Sequence, residues 1–145
     1  MKPYYESDGI TIFHGDCLDF LRCRSGIAHL IVTDPPYGET SLEWDKWVPG
    51  WIPLARQALV AGGSMWVCGS LRMFIDCADE IGQMKRAQDV VWEKHNGSNF
   101  HADRFRRVHE YVAQFYPADQ AWADTYKSPQ FTNDATKKTV RRKER

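Results

Sequence analysis

The chain has 145 residues and no net charge, with 43% hydrophobic and 26% charged residues, a composition that predicts one globular domain with a sizeable core. The sequence contains no apolar run near the roughly 18 residues that cross a bilayer, and the N-terminal MKPYYESDG lacks the apolar stretch of a signal peptide. We therefore expect a cytoplasmic protein without a membrane partner.

Hydrophobic patterning predicts alternating strands and helices. Strands are predicted at 10–14, 29–33, 64–69, 87–93 and 108–116. Helices are predicted at 15–24, at 51–60 and from about 71 to 84, the last capped by Ser70. This order predicts an α/β fold with a mainly parallel sheet, whose last two strands can be antiparallel neighbours. Residues after Pro117 lack periodicity and are expected to form a loop or an extended arm.

The most informative stretch is HLIVTDPPYGE, from His29 to Glu39. Its β-branched run suits a strand buried on both faces, and the two prolines after Asp34 exclude both helix and strand. A carboxylate, prolyl carbonyl groups and an aromatic ring are therefore expected together at the carboxyl end of a strand, where open α/β sheets bind ligands. The structural alternative is a proline-rich turn after a core strand.

Such a corner suits the exocyclic amine of a nucleobase. Tyr37 offers a ring for stacking, while Asp34 and the Pro35 carbonyl offer acceptors for the two amino hydrogens. Acceptors outside the plane of the base localise the nitrogen lone pair, and Asp34 stabilises the positive charge that develops during attack. A methyl sulfonium is a sufficient electrophile, and the base must leave the duplex to enter the corner.

The segment FHGDCLDFLRCRSGIAHLIVTDPPYGE resembles the start of the amino-methyltransferases that modify adenine or cytosine in DNA. WEKHNGSNF and VHEYVAQFY resemble two later strands of that family, and TKKTVRRK resembles the start of a target-recognition region in phage-borne members. The resemblance implies a Rossmann-like methyltransferase sheet, S-adenosylmethionine as the methyl donor and double-stranded DNA as the partner. It also implies a catalytic part at 1–120 and, at 121–145, a basic arm that starts the recognition region.

The same resemblance implies roles for individual residues. The catalytic corner is Asp34, Pro35, Pro36 and Tyr37, and an aspartate in its first position favours adenine over cytosine. Asp16 and Cys17, together with Asp34, are implied at the cofactor. Asp16 is also suited to cap the helix that follows it, and both roles can hold.

Basic side chains are expected to hold DNA phosphates. They lie in the predicted loop between the last two strands and are Lys94, Arg104, Arg106 and Arg107. Residues 121–145 carry seven Lys or Arg against three Asp or Glu, whereas residues 1–120 carry twelve against sixteen. This asymmetry favours a nucleic-acid partner, with a solvated tail as the alternative.

No metal site is predicted. The four cysteines, which we expect to be reduced, fit no zinc spacing, and His109-Glu110 lacks the second histidine of HExxH. His95 and His101 are expected as loop residues. Three tryptophans follow the corner and could wall a base pocket, although their spacing favours anchors that pack on the sheet. These tryptophans are Trp44, Trp47 and Trp51.

The sequence departs from the family in one respect. It contains no FxGxG-type glycine loop, which lets the backbone approach the methionine part of the cofactor. AGGS (61–64) precedes a strand instead of following one, so we reject it as that loop. We therefore expect a sheet incomplete at its C-terminal half, with the strand at 29–33 on an exposed edge.

Two functions remain open from the sequence. The first is a methyltransferase acting on adenine in double-stranded DNA. The second is a non-catalytic prophage remnant, a fragment, or the DNA-binding half of a split methyltransferase, completed in a homo-oligomer or by a second chain. Methylation of RNA or of a glutamine amide is a third and less favoured interpretation.

Overall fold

A computed structural model describes residues 1–95, 102–103 and 105–128 of the chain. The strands are β1 (Tyr5–Ser7), β2 (Ile10–Ile12), β3 (Ala28–Thr33), β4 (Leu59–Gly69), β5 (Met84–Glu93) and β6 (His109–Pro117). The helices are α1 (Cys17–Arg22), α2 (Trp51–Ala58), α3 (Leu71–Asp76) and α4 (Ala78–Ile81), and a single 3₁₀ turn covers Trp122–Asp124. No helix of the described residues is long and apolar enough to cross a membrane.

Four strands form the main sheet in the order β3-β4-β6-β5, and β1 and β2 form a separate antiparallel hairpin. β3 pairs with β4 in parallel, whereas β6 is antiparallel to both β4 and β5. Three of these four strands therefore run in one direction and only β6 is reversed. The predicted α/β class and the antiparallel pairing of the last two strands are both confirmed.

One face of the sheet packs on the helices. Alternating side chains of β4 and β6 point to this face and join residues of the helices in the core. The buried apolar core consists of Trp51, Ile52, Ala55, Leu59, Met65, Val67, Met73, Cys77, Met84, Ala113 and Phe115. Burial of these side chains supplies the main driving force for folding.

The opposite face of the sheet remains open in the part of the chain that is described. Leu30 and Val32 on β3 are 55% and 67% exposed, and Val90 and Trp92 on β5 are 50% and 62% exposed. The prediction that the 29–33 strand is buried on both faces is therefore wrong here. The reason is that β3 lies at the edge of the described sheet and its second face is not covered. This position agrees with the separate prediction that the 29–33 strand lies on an exposed edge.

Local capping sets the helix ends. Ser70 caps α3 as predicted, since its Oγ accepts a hydrogen bond of 3.0 Å from the Met73 amide. The predicted helix from 71 to 84 is two short helices, interrupted at Cys77. Gly50 precedes α2 with a φ of 87°, a left-handed conformation that glycine adopts without strain.

The glycine pair in AGGS lies in an irregular first part of β4. Ala28 pairs with Leu59 but Leu30 pairs with Ser64, so the register shifts between these two contacts. A Cβ atom on Gly63 would lie 3.0 Å from the Val60 carbonyl oxygen, which explains the need for glycine. This segment is at the opposite end of β4 from the proline corner.

Candidate active site

The predicted corner lies directly after β3, at the carboxyl end of the strand. Asp34 is exposed and Pro35, Pro36 and Tyr37 are half-buried. The Tyr37 hydroxyl donates a hydrogen bond of 2.8 Å to Oδ1 of Asp34. Burial raises the pKa of the Tyr37 hydroxyl well above its usual range, and the hydrogen bond to Asp34 and the charges of Asp34 and Glu110 raise it further. The phenol therefore stays protonated and serves as a donor.

A buried carboxylate organises the loop after the corner. Asp45 is 5% exposed. Its Oδ1 accepts hydrogen bonds of 2.9 Å from the amides of Tyr37 and Gly38, and its Oδ2 accepts from Glu39 at 3.1 Å and Thr40 at 2.7 Å. Hydrogen bonding by the Thr40 side chain and then by these backbone amides lowers the pKa of Asp45 to about 2, against the opposing effect of burial.

A second acid connects the corner to the neighbouring strand ends. Glu39 accepts hydrogen bonds from the Ser70 hydroxyl, at the end of β4, and from the Arg107 guanidinium, just before β6. Its side chain is 13% exposed and that of Arg107 is 39% exposed. The loop after the corner is therefore joined to the chain that enters β6.

The third acid at this edge comes from β6. Glu110 forms an ion pair with Lys94, and its side chain is 19% exposed. Burial raises the pKa of the half-buried Cys68 thiol, and the charges of Asp34 and Glu110 raise it further. The Asp34 and Glu110 carboxylates therefore both lie close enough to the end of β4 to act on this thiol.

The predicted cofactor residues lie at the start of α1. Asp16 is the N-cap, because its Oδ1 accepts a hydrogen bond of 2.7 Å from the Leu18 amide. Cys17 is the first residue of the helix and is exposed. The capping interpretation of Asp16 is confirmed, and it leaves Oδ2 for a second contact.

The predicted DNA contacts differ in their surroundings. Lys94 pairs with Glu110 and Arg107 pairs with Glu39, so both cations contact acids within the chain. Arg106 is exposed. Arg104 and His101 lie outside the described residues, as does most of the basic arm, from 129 to 145.

The three tryptophans have separate roles. Trp51 is 7% exposed in the core, and Trp47 packs against the core and donates a hydrogen bond of 3.0 Å to Glu80. These two are anchors, as their spacing favours. Trp44 is 69% exposed beside the buried Asp45 and remains the one of the three with an accessible ring.

One cavity, of about 380 Å³, is lined by residues that include Ser70 and Arg107, the two partners of Glu39. A groove of about 590 Å³ on the helix-covered face is lined by α3, α4, β5 and β6, including Phe74 and Tyr111. The chemistry-bearing residues instead form an open edge of the sheet. Within residues 1–95, 102–103 and 105–128, no three His, Cys, Asp or Glu side chains are grouped to hold a metal ion.

Sequence reasoning found the corner but missed the acids that hold it. Asp45, Glu39 and Glu110 are separated from Asp34 along the chain and form no local motif. Only Glu39 had a signal, since it directly follows DPPYG.

A family model described as DNA methylase matches residues 28–145. The chain therefore belongs to the DNA methylase family. It is 36% identical over 75 residues to the type II methyltransferase M.ScaI of Streptomyces caespitosus, a match covering 46% of this chain and 25% of that protein. It is 27% identical over 142 residues to the type II methyltransferase M2.MboI of Moraxella bovis, covering 77% and 52% respectively. The chain thus spans about half, or less, of these relatives.

Solved structures resemble the fold. The complex of M1.HpyAVI with SAM matches with a TM-score of 0.55 at 18% identity, covering 88% of this chain and 70% of that chain. The cytosine-N4-specific PvuII DNA methyltransferase matches with a TM-score of 0.57 at 18% identity, covering 82% and 53%. These similarities confirm the predicted Rossmann-like methyltransferase architecture.

Proposed function

We propose that this chain is the catalytic part of an S-adenosylmethionine-dependent DNA methyltransferase that modifies the exocyclic amine of a flipped-out adenine in double-stranded DNA. The observation that carries the proposal is the corner after β3, where the Asp34 carboxylate and the Tyr37 ring are joined by a hydrogen bond of 2.8 Å. Membership of the DNA methylase family supports the same chemistry.

The corner acts on the amine through acceptors. Oδ1 of Asp34 is engaged by Tyr37, so Oδ2 is the oxygen that accepts an amino hydrogen, and the Pro35 carbonyl accepts the second. These two acceptors localise the nitrogen lone pair, and the Asp34 charge stabilises the cation that develops. The Tyr37 ring stacks on the base, a contact worth about 1–3 kcal/mol per base.

The Asp34 carboxylate suits a cationic methyl donor. S-Adenosylmethionine supplies an electrophilic methyl group when bound. Asp34 provides a carboxylate that favours a positive sulfonium, and Asp16 and Cys17 are proposed at the other end of the cofactor. Asp16 has one carboxylate oxygen occupied by its helix, which leaves the other to accept a hydrogen bond from the cofactor.

The proposal extends to the remaining partners. Arg104 and Arg106, together with the basic arm at 121–145, are proposed to bind DNA phosphates, and residues 1–120 to form the catalytic part. Lys94 and Arg107 are proposed to reach phosphates only by leaving Glu110 and Glu39. Action on cellular DNA fits the cytoplasmic location expected from the sequence.

A second candidate function is a methyltransferase half that needs a second copy or a completing chain. Within the described part of the chain, β3 lies at the edge of the sheet and its Leu30 and Val32 are exposed. These two features support it, because an uncovered apolar sheet face favours association. Sedimentation over a range of concentrations tests the homo-oligomer, with Val32→Lys expected to weaken any association.

Methyl transfer tests the main proposal. The purified chain is incubated with unmethylated duplex DNA and donor labelled on its methyl group. Label on adenine is expected, with loss in Asp34→Asn and retention in Asp8→Asn, a matched change in the exposed β1–β2 turn. Label on cytosine would show that the methylated base is cytosine and not adenine. No transfer by a folded chain would favour the half that requires a completing chain.

A further inference from the structure

We propose that Asp45 is the positioning residue of the corner, holding four successive backbone amides and thereby setting where Asp34 and Tyr37 lie. The inference rests on the proposed function, because it assigns the corner to methyl transfer. It is carried by the geometry of residues 37–40 around one buried side chain.

The hydrogen bonds of Asp45 use its whole carboxylate. An ionised carboxylate accepts through about four lone-pair sites, and here two amides approach each oxygen at distances from 2.7 to 3.1 Å. The chain must curve closely around the side chain to bring four consecutive amides to it. Gly38, with a φ of 71°, permits this curve because a left-handed conformation is strained for other residues.

The effect reaches the corner through a stiff connection. Pro35 and Pro36 separate Asp34 from Tyr37, and each proline ring fixes φ. β3 holds one end of this short link and Asp45 holds the other through the Tyr37 amide. Fixing both ends of a restricted segment leaves the Asp34 carboxylate and the Tyr37 ring little freedom to separate.

An alternative use of the same amides is a binding nest for a phosphate of DNA. The four amides already donate to Asp45, which supplies the negative charge from within the chain. A phosphate at this position would meet that carboxylate and be repelled. The arrangement is therefore an internal clamp and not an anion site.

The matched pair Asp45→Asn and Glu43→Gln tests the clamp. Asparagine keeps the size of the side chain but turns an NH₂ group toward two amide donors, whereas Glu43 is exposed on the same loop. The readout is the titration of the Tyr37 ring, followed by NMR of tyrosine labelled at Cζ and assigned with Tyr37→Phe. The parent chain and Glu43→Gln are expected to show the same raised Tyr37 pKa.

In Asp45→Asn, the pKa of Tyr37 is expected to fall below that of the parent chain, because the ring is no longer held beside Asp34 and only its burial continues to raise the pKa. A Tyr37 pKa that is the same in a folded Asp45→Asn variant as in the parent chain would overturn the proposal. In an active preparation, a fall in kcat with little change in KM is the corresponding kinetic result.

Hydrogen exchange on the unmodified chain gives a second test that does not depend on a variant folding. The amides of residues 37–40 are expected to be protected to the level of the β4 amides, although they lie in a loop. Exchange at the rate of exposed loop amides would overturn the clamp. Neither readout involves methyl transfer, so a clamp that is present in an inactive chain would count against the proposed function alone.

Discussion

The Tyr37 hydroxyl donates its hydrogen bond to Oδ1 of Asp34 over 2.8 Å, so the ring and the carboxylate of the corner are joined before any base arrives. The bond closes across the two prolines that separate these residues. It occupies one carboxylate oxygen, and the other is the acceptor that we propose for an incoming amine. The corner is thus organised by its own first and last residues.

Two substitutions of Tyr37 separate this bond from stacking. Tyr37→Phe removes only the hydroxyl, so methyl transfer is expected to fall by about fivefold, which corresponds to a hydrogen bond near 1 kcal/mol. Tyr37→Ala also removes the ring and is expected to cost roughly 10- to 100-fold, since base stacking contributes about 1–3 kcal/mol. Initial rates with labelled donor measure both, and Tyr126→Phe, at a 76% exposed position, is the control. Equal losses in the two Tyr37 variants would contradict a stacking role.

The neighbouring arginines Arg106 and Arg107 are expected to behave differently. Arg107→Ala leaves the Glu39 carboxylate without its cation, so the free energy of unfolding should fall by about 1 kcal/mol. Arg106→Ala should leave that free energy unchanged but lower the slope of log affinity for DNA against log salt by about 1. Urea unfolding and DNA binding at several salt concentrations measure these effects. If Arg107→Ala lowered the salt slope of DNA affinity and Arg106→Ala lowered the free energy of unfolding, Arg107 would be the phosphate contact.

The two faces of the sheet predict unequal responses to shortening a side chain. Met65 is 1% exposed in the core, so Met65→Ala should lower the free energy of unfolding by about 2–5 kcal/mol. Val32, on the adjacent strand but 67% exposed, should tolerate Val32→Ala with a change within about 0.5 kcal/mol. Urea unfolding compares them under one condition. A large loss in Val32→Ala would mean that the open face is covered in solution.

The fold and the corner were accessible from the sequence because their signals are local. β-Branched runs, helix caps and the DPPYG turn each span a few residues, and from β3 to β6 the structure bears out the predicted order of elements, with the third predicted helix divided into α3 and α4. The predicted first strand instead belongs to the separate β1–β2 hairpin. The exposure of one face of β3 could not be predicted from a local signal. The hydropathy of a strand shows that its side chains are apolar, but it does not show whether another layer of the structure covers them. The run HLIVT therefore predicts a buried strand, although Val32 within it is exposed.

The acids around the corner could not be predicted for a related reason. Asp45 acts on amides five to eight residues earlier, and Glu39 meets Arg107 across 68 residues. No periodicity records such contacts, which exist only once β3, β4 and β6 are aligned. A loop aspartate is usually a solvated turn residue, and only its burial marks Asp45 as different.

Acid unfolding is expected to report the Asp45 clamp directly. The pKa of Asp45 is about 2 in the folded chain, against about 3.9 for an aspartate in an unfolded chain. Between these values the unfolded chain binds more protons, so its population rises as the pH falls. The contribution of Asp45 to stability is therefore complete above about pH 4 and is lost as the pH falls toward about 2.

Asp45→Asn has no carboxyl group to protonate at this position. Its free energy of unfolding, measured by urea at several pH values, should be lower than that of the parent at pH 6 and should fall less steeply between pH 4 and 2. Asp119 also has a lowered pKa, through its hydrogen bond to Arg56, and Asp119→Asn therefore controls for an acid outside the corner. The Asp119 carboxylate is on the surface, outside the corner. In Asp119→Asn, the part of the pH dependence of the free energy of unfolding that comes from Asp45 should therefore remain. If the free energy of unfolding of Asp45→Asn fell with pH as steeply as that of the parent, the acid sensitivity would come from other carboxylates. The ionised Asp45 would then not be its source.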